Sequence, residues 1–214
     1  HLLEKRDESE VTLVINKLTT NYTFFMREQE HLDYFYKNII PDLVRRHQRD
    51  KVLSIWSAGC SSGEEPYNIS MLLFDYLGPQ AKDWDTRILA TDISAQALSK
   101  AQKGVYDLPD TIPPDWKKKY FTANKDGSYT VAPAVRNNVI FRPFNLMEPI
   151  AFRRKFDLIF CRNVMIYFDQ PTKDALVRRF YDATVPGGYL LISYSENLSP
   201  NAPYRRLATA TFQK

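Results

Sequence analysis

The amino-acid sequence predicts an α/β fold in which helices cover both faces of a largely parallel sheet. Apolar runs of strand length alternate with helix-length segments along most of the chain, as parallel sheets require. Two of these runs, 52–57 and 157–161, stop abruptly in small or polar residues. Buried strands do so where they lead into a ligand-facing loop. With 214 residues, 44% of them hydrophobic, the chain can bury the core of one domain.

The elements before the sheet are predicted to be helical. Charged amphipathic residues at 2–18 indicate a first helix, and the Thr- and Asn-containing segment 19–23 indicates a loop. A second helix is expected at about 27–47, interrupted near Pro41 because proline lacks the amide that a helix interior needs.

The sheet and its helices follow in βαβα order. Strand and helix patterns occur in turn at 52–57, 64–77, 87–92 and 95–103, then as strands at 139–144 and 157–161, a helix at 173–184 and a strand at 189–194. We expect Pro186-Gly187-Gly188 to end the last helix. The β-rich segment 204–213 should add one or two antiparallel edge strands, which makes the sheet mixed.

A small insert is predicted between Gly104 and Asn138. Three prolines precede a short helix at 116–120, and Asp126-Gly127 then separates two β-forming segments. Asp-Gly between β-formers favours a hairpin. We therefore expect a small antiparallel β insert that projects from the sheet.

Composition excludes several classes of protein. No stretch approaches the roughly 20 apolar residues of a membrane span, and no signal-peptide pattern opens the chain. The net charge of +4 is mild and its Lys and Arg are scattered, which argues against nucleic-acid binding. Because the sequence starts at His1 rather than Met, we expect its amino terminus to be a fragment boundary.

The two cysteines favour a reduced cytosolic protein. Cys60 and Cys161 each end a predicted core strand, so we interpret them as reduced, half-buried thiols. No CxxC motif or His-rich partner accompanies them, and a metal site is therefore not expected.

The glycine loop after the first strand suggests a ligand that carries cationic groups. Ala58-Gly59-x-x-x-Gly63 lets backbone approach a ligand closely, but this pattern is shared by several nucleotide-binding folds. Glu64 and Glu65 then stand at the start of a helix, where they would repel a pyrophosphate, and the Walker lysine is missing. The alternative is that both glutamates only cap the helix.

Two further side chains follow strand ends and suit an adenosine. Asp92 is placed to accept both ribose hydroxyls, although it could instead cap the helix that starts at Ala95. Asn145 is placed to bond an adenine edge, although it could equally be a turn residue. S-adenosylmethionine matches these predicted site residues, because it contains an adenosine and lacks a phosphate. It also carries cationic groups that can pair with acidic residues.

The chain resembles the CheR-type chemoreceptor glutamate methyltransferases from about Leu18 to Phe212. The most specific motif is Phe160-Cys161-Arg162-Asn163-Val164-Met165-Ile166-Tyr167-Phe168. The others are Asn21-x-Thr23-x-x-x-Arg27, Ser57-Ala58-x-x-Ser61-Ser62-Gly63-Glu64-Glu65-Pro66-Tyr67, Ala90-Thr91-Asp92-Ile93, Phe144-Asn145-Leu146 and Ser195-Glu196-Asn197.

The resemblance implies a Rossmann-like class I S-adenosylmethionine-dependent methyltransferase fold, with N-terminal helices, a mixed sheet and a small antiparallel β insert. It implies that Arg27 and Tyr167 are catalytic and lie close to the reacting centre. Without the resemblance, the residues themselves would favour a surface salt bridge of Arg27 with Glu28 or Glu30, and packing of Tyr167 beside Phe168. The cofactor-binding residues that it implies are Asn21, Thr23, Arg27, Ala58, Glu64, Asp92, Asn145, Leu146, Arg162 and Asn163, with no metal.

The resemblance also implies a domain division. Residues 1–20 would be the remnant of an amino-terminal helical region and linker, and 21–214 the methyltransferase domain. The insert at about 105–138 would be the β-subdomain that helps hold the receptor. Its turn, Asn124-Lys125-Asp126-Gly127, is shorter than the glycine-proline loop of members that grip a receptor-tail pentapeptide. We therefore expect recognition without that tether.

The implied reaction is methyl-ester formation on glutamate side chains of chemoreceptors (methyl-accepting chemotaxis proteins) for sensory adaptation. S-adenosyl-L-methionine would be converted to S-adenosyl-L-homocysteine by a cytoplasmic monomer that acts on the helical cytoplasmic region of receptors, without membrane insertion or nucleic acid. The alternatives are an S-adenosylmethionine-binding sensor, or a methyltransferase acting on another protein, RNA or a small molecule. Retention of Arg27, Arg162, Asn163 and Tyr167 argues against the sensor, and weak basic patterning argues against RNA.

Overall fold

A computed structural model describes residues 22–214 of the chain, so the helix predicted at 2–18 lies outside the described residues. The helices are α1 (Gln29–Tyr34), α2 (Ile40–Arg46), α3 (Glu64–Leu77), α4 (Ala95–Lys103), α5 (Pro114–Tyr120), α6 (Pro133–Asn137) and α7 (Gln170–Ala183). The strands are β1 (Ile55–Ala58), β2 (Ile88–Asp92), β3 (Val105–Tyr106), β4 (Phe121–Ala123), β5 (Tyr129–Val131), β6 (Val139–Pro143), β7 (Phe156–Cys161), β8 (Thr184–Ile192), β9 (Arg205–Ala208) and β10 (Thr211–Gln213).

Seven strands form the main sheet in the order β6-β2-β1-β7-β8-β10-β9. The first five of these are parallel, with Ile55 of β1 opposite Ile88 of β2 and Leu158 of β7. β10 and β9 are antiparallel, which confirms the predicted edge strands. The strand order reverses between β1 and β7, and ligands bind outside the carboxyl ends of strands at such a point. The predicted mixed, Rossmann-like α/β sheet is therefore confirmed.

Alternate side chains along the strands build a core on each face of the sheet. Ile55, Leu158 and Leu191 belong to the core shared with α1 to α4. Trp56 and Leu190 face the other way, into the core shared with α7. Because the inner strands are buried on both faces, their sequences are nearly continuous apolar runs.

Trp56 is the centre of an aromatic cluster beneath the carboxyl end of the sheet. Its ring centroid lies 5.9 Å from that of Phe144 and 5.1 Å from that of Phe152, both edge-on. Its indole Nε1 donates a hydrogen bond to Thr91 Oγ1 at 2.9 Å. The cluster ties β1 to β2 and to the segment after β6, and the indole donor is satisfied inside the core.

The predicted interruption of the helix near Pro41 is confirmed. A π-helical turn, Phe35–Ile39, separates α1 from α2, and Pro41 stands in the first turn of α2. Proline has no amide to bond the carbonyl of Lys37 one turn earlier, so the helix continues only after its backbone spacing has changed.

The prediction that Pro186-Gly187-Gly188 ends the last helix is wrong, because these residues lie inside β8. The helix ends at Ala183, and Thr184 is already extended, with its hydroxyl donating to the Phe180 carbonyl at 2.6 Å. The pairing of β7 with β8 shifts register next to these residues. The glycines therefore form an irregular strand entry, where Gly187 adopts a φ of 75°.

The insert forms a separate antiparallel sheet in the order β3-β5-β4. The predicted hairpin is present, and Gly127 in its turn has a φ of 87°, which glycine adopts without strain. β3 was not predicted, since two residues carry no periodicity. The Tyr120 hydroxyl donates to the Met71 carbonyl of α3 at 3.2 Å, so the insert packs on the main domain.

Among the helices described for residues 22–214, none combines the length and the apolar character that crossing a bilayer requires.

Candidate functional site

A cleft of about 500 Å³ lies at the carboxyl ends of β1, β2, β6 and β7. Its walls come from residues 22–27, the loop 59–61, α3, the segment 144–147 and the loop 162–168. Cavities of roughly 300–1,000 Å³ at the switch point of an α/β sheet are the usual sites of small ligands. The two segments with the strongest sequence signal, after β1 and after β7, therefore meet in one place.

The glycines of the loop after β1 are required by packing. Gly59 has a φ of 82°, and a Cβ there would clash with Val164 Cγ2. Gly63 has a φ of 94°, and a Cβ there would lie 2.7 Å from Ala101 Cβ. Both positions favour glycine because it alone tolerates this conformation and this spacing. Gly59 also lines the cleft, so the loop brings backbone against the ligand space.

The structure brings Glu65, and not Glu64, to the cleft. Successive helical residues point about 100° apart, and Glu64 turns into the protein, where its carboxylate accepts a hydrogen bond from Ser62 Oγ at 2.8 Å. Burial raises the pKa of Glu64. Ala58, also predicted as a cofactor residue, is fully buried in β1 and does not line the cleft.

Glu65 is held at the cleft floor by two partners. Its Oε1 accepts a hydrogen bond from Ser57 Oγ at 2.8 Å, and its Oε2 accepts one from Arg162 Nη1 at 3.2 Å. Burial raises the pKa of Glu65, while the charge of Arg162 opposes that rise. The carboxylate is therefore oriented and only 14% exposed, as a group that meets a cationic ligand should be.

Asp92 lies at the end of β2 and lines the cleft, as predicted. Its Oδ2 accepts a hydrogen bond from the Ser61 amide at 2.7 Å, and its Oδ1 accepts one from the Ser94 amide at 2.8 Å. The alternative role as a helix cap falls to Ser94, whose hydroxyl accepts the Ala97 amide at 3.1 Å. Burial raises the pKa of Asp92.

Asn145 and Leu146 line the cleft next to the end of β2, where the Phe144 amide donates to the Asp92 carbonyl at 3.0 Å. The Asn145 Oδ1 accepts the Met147 amide at 2.9 Å, so this residue is a turn residue as well as part of the cleft. Leu146 is buried, while Ile93, which also lines the cleft, is 40% exposed. This end of the cleft offers apolar surface and one polar side chain, which suits a flat aromatic ring.

Arg27 and Thr23 belong to the cleft wall that residues 22–27 form, whereas Asn21 lies outside the described residues. Arg27 Nη1 donates to the Tyr22 carbonyl at 2.6 Å, and its guanidinium carbon lies 5.8 Å from the Tyr22 ring centre. Within the described chain, no carboxylate is close enough to pair with Arg27. The alternative of a salt bridge to Glu28 or Glu30 is therefore not seen.

Arg162 reaches the cleft but is already bound on most sides. It donates to Glu28 through Nε at 3.3 Å and Nη2 at 3.2 Å, to Glu65 through Nη1, and to the Arg27 main-chain carbonyl through Nη2. Four of its five N–H groups are used in this way. A ligand can therefore share only a small part of this guanidinium, whose side chain is 3% exposed.

Asn163 follows Arg162 with a φ of 58°, a conformation that asparagine tolerates better than most residues. Its Nδ2 donates to Ser193 Oγ at 2.8 Å and to Glu28 Oε1 at 3.4 Å. Asn163 lines the cleft and joins the end of β7 to the end of β8.

Glu28 is a residue that the sequence interpretation missed. Burial opposes its charge, but the His31 imidazole 3.8 Å away, the charge of Arg162, and hydrogen bonds from Arg162 and Asn163 lower its pKa to about 2. Its position next to Arg27 was visible in the sequence, but no local pattern reveals partners that are 134 or more residues away.

Tyr167 stands at the mouth of the cleft, at the end of a 3₁₀ turn, Met165–Tyr167. Its ring is 60% exposed, so packing beside Phe168 does not bury it. Of the predicted site residues that are described, all but Ala58 and Glu64 thus line one cleft.

Cys60 and Cys161 are free and fully buried, rather than half-buried as expected. Burial raises the pKa of both thiols well above the ordinary value, which disfavours the nucleophilic thiolate form. Within residues 22–214, no cluster of His, Cys, Asp and Glu is arranged to hold a metal ion.

The residues of the cleft fit S-adenosylmethionine. Asp92 and Glu65 offer carboxylates to hydroxyl and ammonium groups, and apolar side chains line the end near Ile93. The same two carboxylates would repel a phosphate. The donor set therefore matches an adenosyl ligand without phosphate.

Comparison with known proteins gives a consistent answer. Residues 21–212 match the family model described as CheR methyltransferase, SAM binding domain. A chemotaxis protein methyltransferase of Borreliella burgdorferi is 40% identical over 206 residues, which cover 94% of this chain and 73% of that protein. One from Escherichia coli is 39% identical, covering 93% and 69%. A probable chemotaxis protein methyltransferase of Rhizobium etli is 36% identical, covering 89% and 73%.

Proposed function

Because the chain belongs to the CheR methyltransferase family, we propose that it methylates glutamate side chains of chemoreceptors. The chain is an S-adenosylmethionine-dependent methyltransferase. The observation that supports the receptor substrate most strongly is that Arg27 and the largely exposed Tyr167 both line the cofactor-sized cleft. A cation and a phenol there suit an incoming carboxylate.

We propose that Asp92 accepts the ribose hydroxyls and that Glu65 meets the ammonium group. Asn145 and Leu146 would border the adenine, with Asn163, Thr23 and the remaining donor of Arg162 toward the amino-acid end. The sequence interpretation placed Glu64 and Ala58 in this set, but their burial away from the cleft gives Glu65 the stronger case.

The reaction needs no general base in this proposal. A glutamate side chain has an ordinary pKa of about 4.3 and is already ionised at pH 7. When bound, S-adenosylmethionine would supply a methyl group on a cationic sulfur, which would keep the bonding electrons when the glutamate oxygen accepts the methyl group. The site would act by alignment and by exclusion of water, and alignment can supply roughly 7–11 kcal/mol.

Arg27 would orient the receptor carboxylate. Its guanidinium donates to the Tyr22 carbonyl and lies near the Tyr22 and Phe24 rings, but it has no carboxylate partner in the described chain. It therefore keeps donors for a second molecule. A single well-aimed bond suffices, since a tight bidentate grip would reduce the nucleophilicity of the oxygen.

Tyr167 would give the second hydrogen bond to the same carboxylate. Its largely exposed ring brings the hydroxyl to the side from which a protein substrate would enter. Neither residue transfers a proton in this scheme; both fix the direction of attack.

We propose that the substrate is the helical cytoplasmic region of a receptor, met in the cytoplasm by a monomer of this chain. Residues 21–214 would form the methyltransferase domain, with 105–138 as its β-subdomain. The family-model match over 21–212 supports this division.

Recognition without a pentapeptide tether is part of the same proposal. The turn that joins β4 and β5 is only Asn124 to Ser128, closed by an Asn124 amide that donates to the Ser128 carbonyl at 2.8 Å. This leaves no long loop to close over a peptide. Calorimetric titration of a receptor-tail pentapeptide should give no measurable heat of specific binding, and tight binding would refute this point.

Transfer to receptor membranes from cofactor labelled on its methyl group is the direct test. We expect label on the receptor that mild base releases as methanol, because only a carboxyl methyl ester is labile in this way. An Arg27→Ala variant is the control for enzyme-dependent labelling. Cofactor binding without transfer would indicate a sensor, and base-stable label would indicate a different target.

A further inference from the structure

Arg27 lies between two residues with left-handed backbone. Met26 has a φ of 64° and Glu28 a φ of 54°, and neither is a glycine or asparagine. This conformation is unfavourable for such residues and persists only where surrounding contacts impose it. Two such exceptions, one on each side of a cleft-lining arginine, call for an identifiable restraint.

Arg162 provides that restraint on the main chain. Its Nη2 donates to the Arg27 carbonyl and, at 3.2 Å, to Glu28 Oε2, while Nε donates to the same carboxylate oxygen at 3.3 Å. Arg162 is itself fixed by Glu65 on its other side. One buried guanidinium thus binds both the backbone carbonyl of Arg27 and the side chain of Glu28.

The second oxygen of Glu28 extends the restraint to β8. Its Oε1 accepts hydrogen bonds from Ser193 Oγ at 3.2 Å and from Asn163 Nδ2 at 3.4 Å. The Glu28 carboxylate therefore connects the segment before α1 to the carboxyl ends of both β7 and β8. Neutralising Glu28 would leave Arg162 with Glu65 as its one carboxylate partner among the described residues, and breaking a largely buried ion pair is costly.

The Arg27 side chain has no comparable anchor of its own. Its contacts are the Tyr22 carbonyl and the rings of Tyr22 and Phe24, all in the same segment. They move with that segment and cannot hold it against the sheet. The placement of the guanidinium therefore depends on the backbone at residues 26–28.

We infer that Glu28 is a positioning residue for methyl transfer, which acts through Arg162 to hold the Met26–Glu28 backbone so that the Arg27 guanidinium faces the cleft. This inference rests on the proposed function for the chemical role of Arg27. Glu28 does not line the cleft, so its effect must pass through its neighbours. It differs in this from Glu65, which meets the cleft directly.

A Glu28→Gln variant tests the inference in three measurements. Loss of the charge should lower kcat by about 100-fold, since small misplacement of a catalytic group has effects of this size. The dissociation constant for S-adenosylmethionine should change by less than about fivefold, because Asp92 and Glu65 are untouched. Amide hydrogen exchange of residues 22–28 should become faster, and this readout does not depend on activity.

Matched variants separate positioning from general loss of structure. Glu30→Gln removes an exposed carboxylate two residues further on and should leave all three measurements unchanged. Glu28→Asp keeps the charge on a shorter arm and should recover part of the lost kcat. In the double variant Glu28→Gln with Arg27→Ala, kcat should be no lower than in Arg27→Ala alone, because residues that act as a unit are non-additive.

The inference is overturned if Glu28→Gln keeps kcat within about threefold of the parent chain. The same holds if the losses of kcat caused by Glu28→Gln and by Arg27→Ala are independent and multiply in the double variant. It is also overturned if cofactor affinity falls as much as kcat does, since that would make Glu28 a binding residue. Should Glu28→Gln not fold, Glu28→Asp decides: unchanged hydrogen exchange at 22–28 contradicts the restraint. If the parent chain itself forms no base-labile ester, the proposed function fails, and hydrogen exchange still tests the restraint.

Discussion

The Asp92 carboxylate holds the glycine loop that follows β1, because its Oδ2 accepts the Ser61 amide at 2.7 Å. The same carboxylate accepts the Ser94 amide and borders the cleft. One side chain thus shapes the loop and presents acceptors to a ligand. Since each oxygen has more than one lone pair, both tasks are compatible.

Asp92→Asn should weaken S-adenosylmethionine binding by about 10–100-fold, because hydrogen bonds to a charged acceptor contribute roughly 1.5–3 kcal/mol. The amide offers one acceptor where the carboxylate offers two. Isothermal titration calorimetry measures the change, with the exposed Asp110→Asn as the control. An unchanged dissociation constant would remove Asp92 from the cofactor site.

Glu65→Gln and Glu64→Gln should differ in their effect on cofactor affinity. Glu65 lines the cleft while Glu64 faces Ser62, so only the first should weaken binding, by about tenfold for the loss of one charged hydrogen bond. The two positions are adjacent and the substitution is the same, so each variant serves as the control for the other. The reverse order would restore the original assignment of Glu64.

Arg27→Ala should lower kcat by about 100-fold or more, as removal of one oriented donor does in other enzymes. Cofactor affinity should stay within about tenfold, because Arg27 is aimed at the second substrate. Steady-state kinetics with receptor membranes provide the measurement. Arg45→Ala, at a side chain that is 77% exposed, is the control, and unchanged turnover in Arg27→Ala would exclude its proposed role.

Gly59→Ala should destabilise the protein by about 2–4 kcal/mol, through strain at a φ of 82° and a clash with Val164 Cγ2. The further substitution Val164→Ala removes the clashing methyl group, so the double variant should regain part of the unfolding free energy that Gly59→Ala loses. Chemical denaturation of the parent, the single variants and the double variant measures the coupling. Independent, additive effects would show that the two side chains do not meet.

Glu28 should make stability depend on pH in the acid range. Its pKa falls from 4.5 to about 2 on folding, so its contribution is fully present above pH 4.5 and is lost as the pH falls towards 2. We expect about 2 kcal/mol after allowance for solvent screening. The difference in unfolding free energy between the parent and Glu28→Gln should shrink over that interval; a constant difference would contradict the lowered pKa.

The fold was largely predictable because strand length and apolar content are local properties. The runs at 52–57 and 157–161 stand out since both faces of β1 and β7 are buried. The prediction at Pro186-Gly187-Gly188 was wrong because local sequence is not decisive there: the same residues can stop a helix or form an irregular start of a strand. Only the pairing of β7 with β8 decides between them.

The site was predictable only where a residue belongs to a recognisable motif. Arg27, Asp92, Arg162 and Tyr167 were predicted in this way and line the cleft, whereas Glu28 entered only as an alternative salt-bridge partner of Arg27. Its partners are Arg162, 134 residues away, and Ser193, 165 residues away. The choice between Glu64 and Glu65 likewise depends on how α3 is rotated against the sheet.

Trp56 gives the molecule an intrinsic optical reporter of occupancy. Its indole meets Phe144 edge-on, and Phe144 is part of the cleft wall, so a ligand that presses on this wall changes the surroundings of the fluorophore. The other two tryptophans, Trp84 and Trp116, do not border the cleft and contribute a steady background. We therefore expect the tryptophan emission to change on ligand entry, without any attached dye.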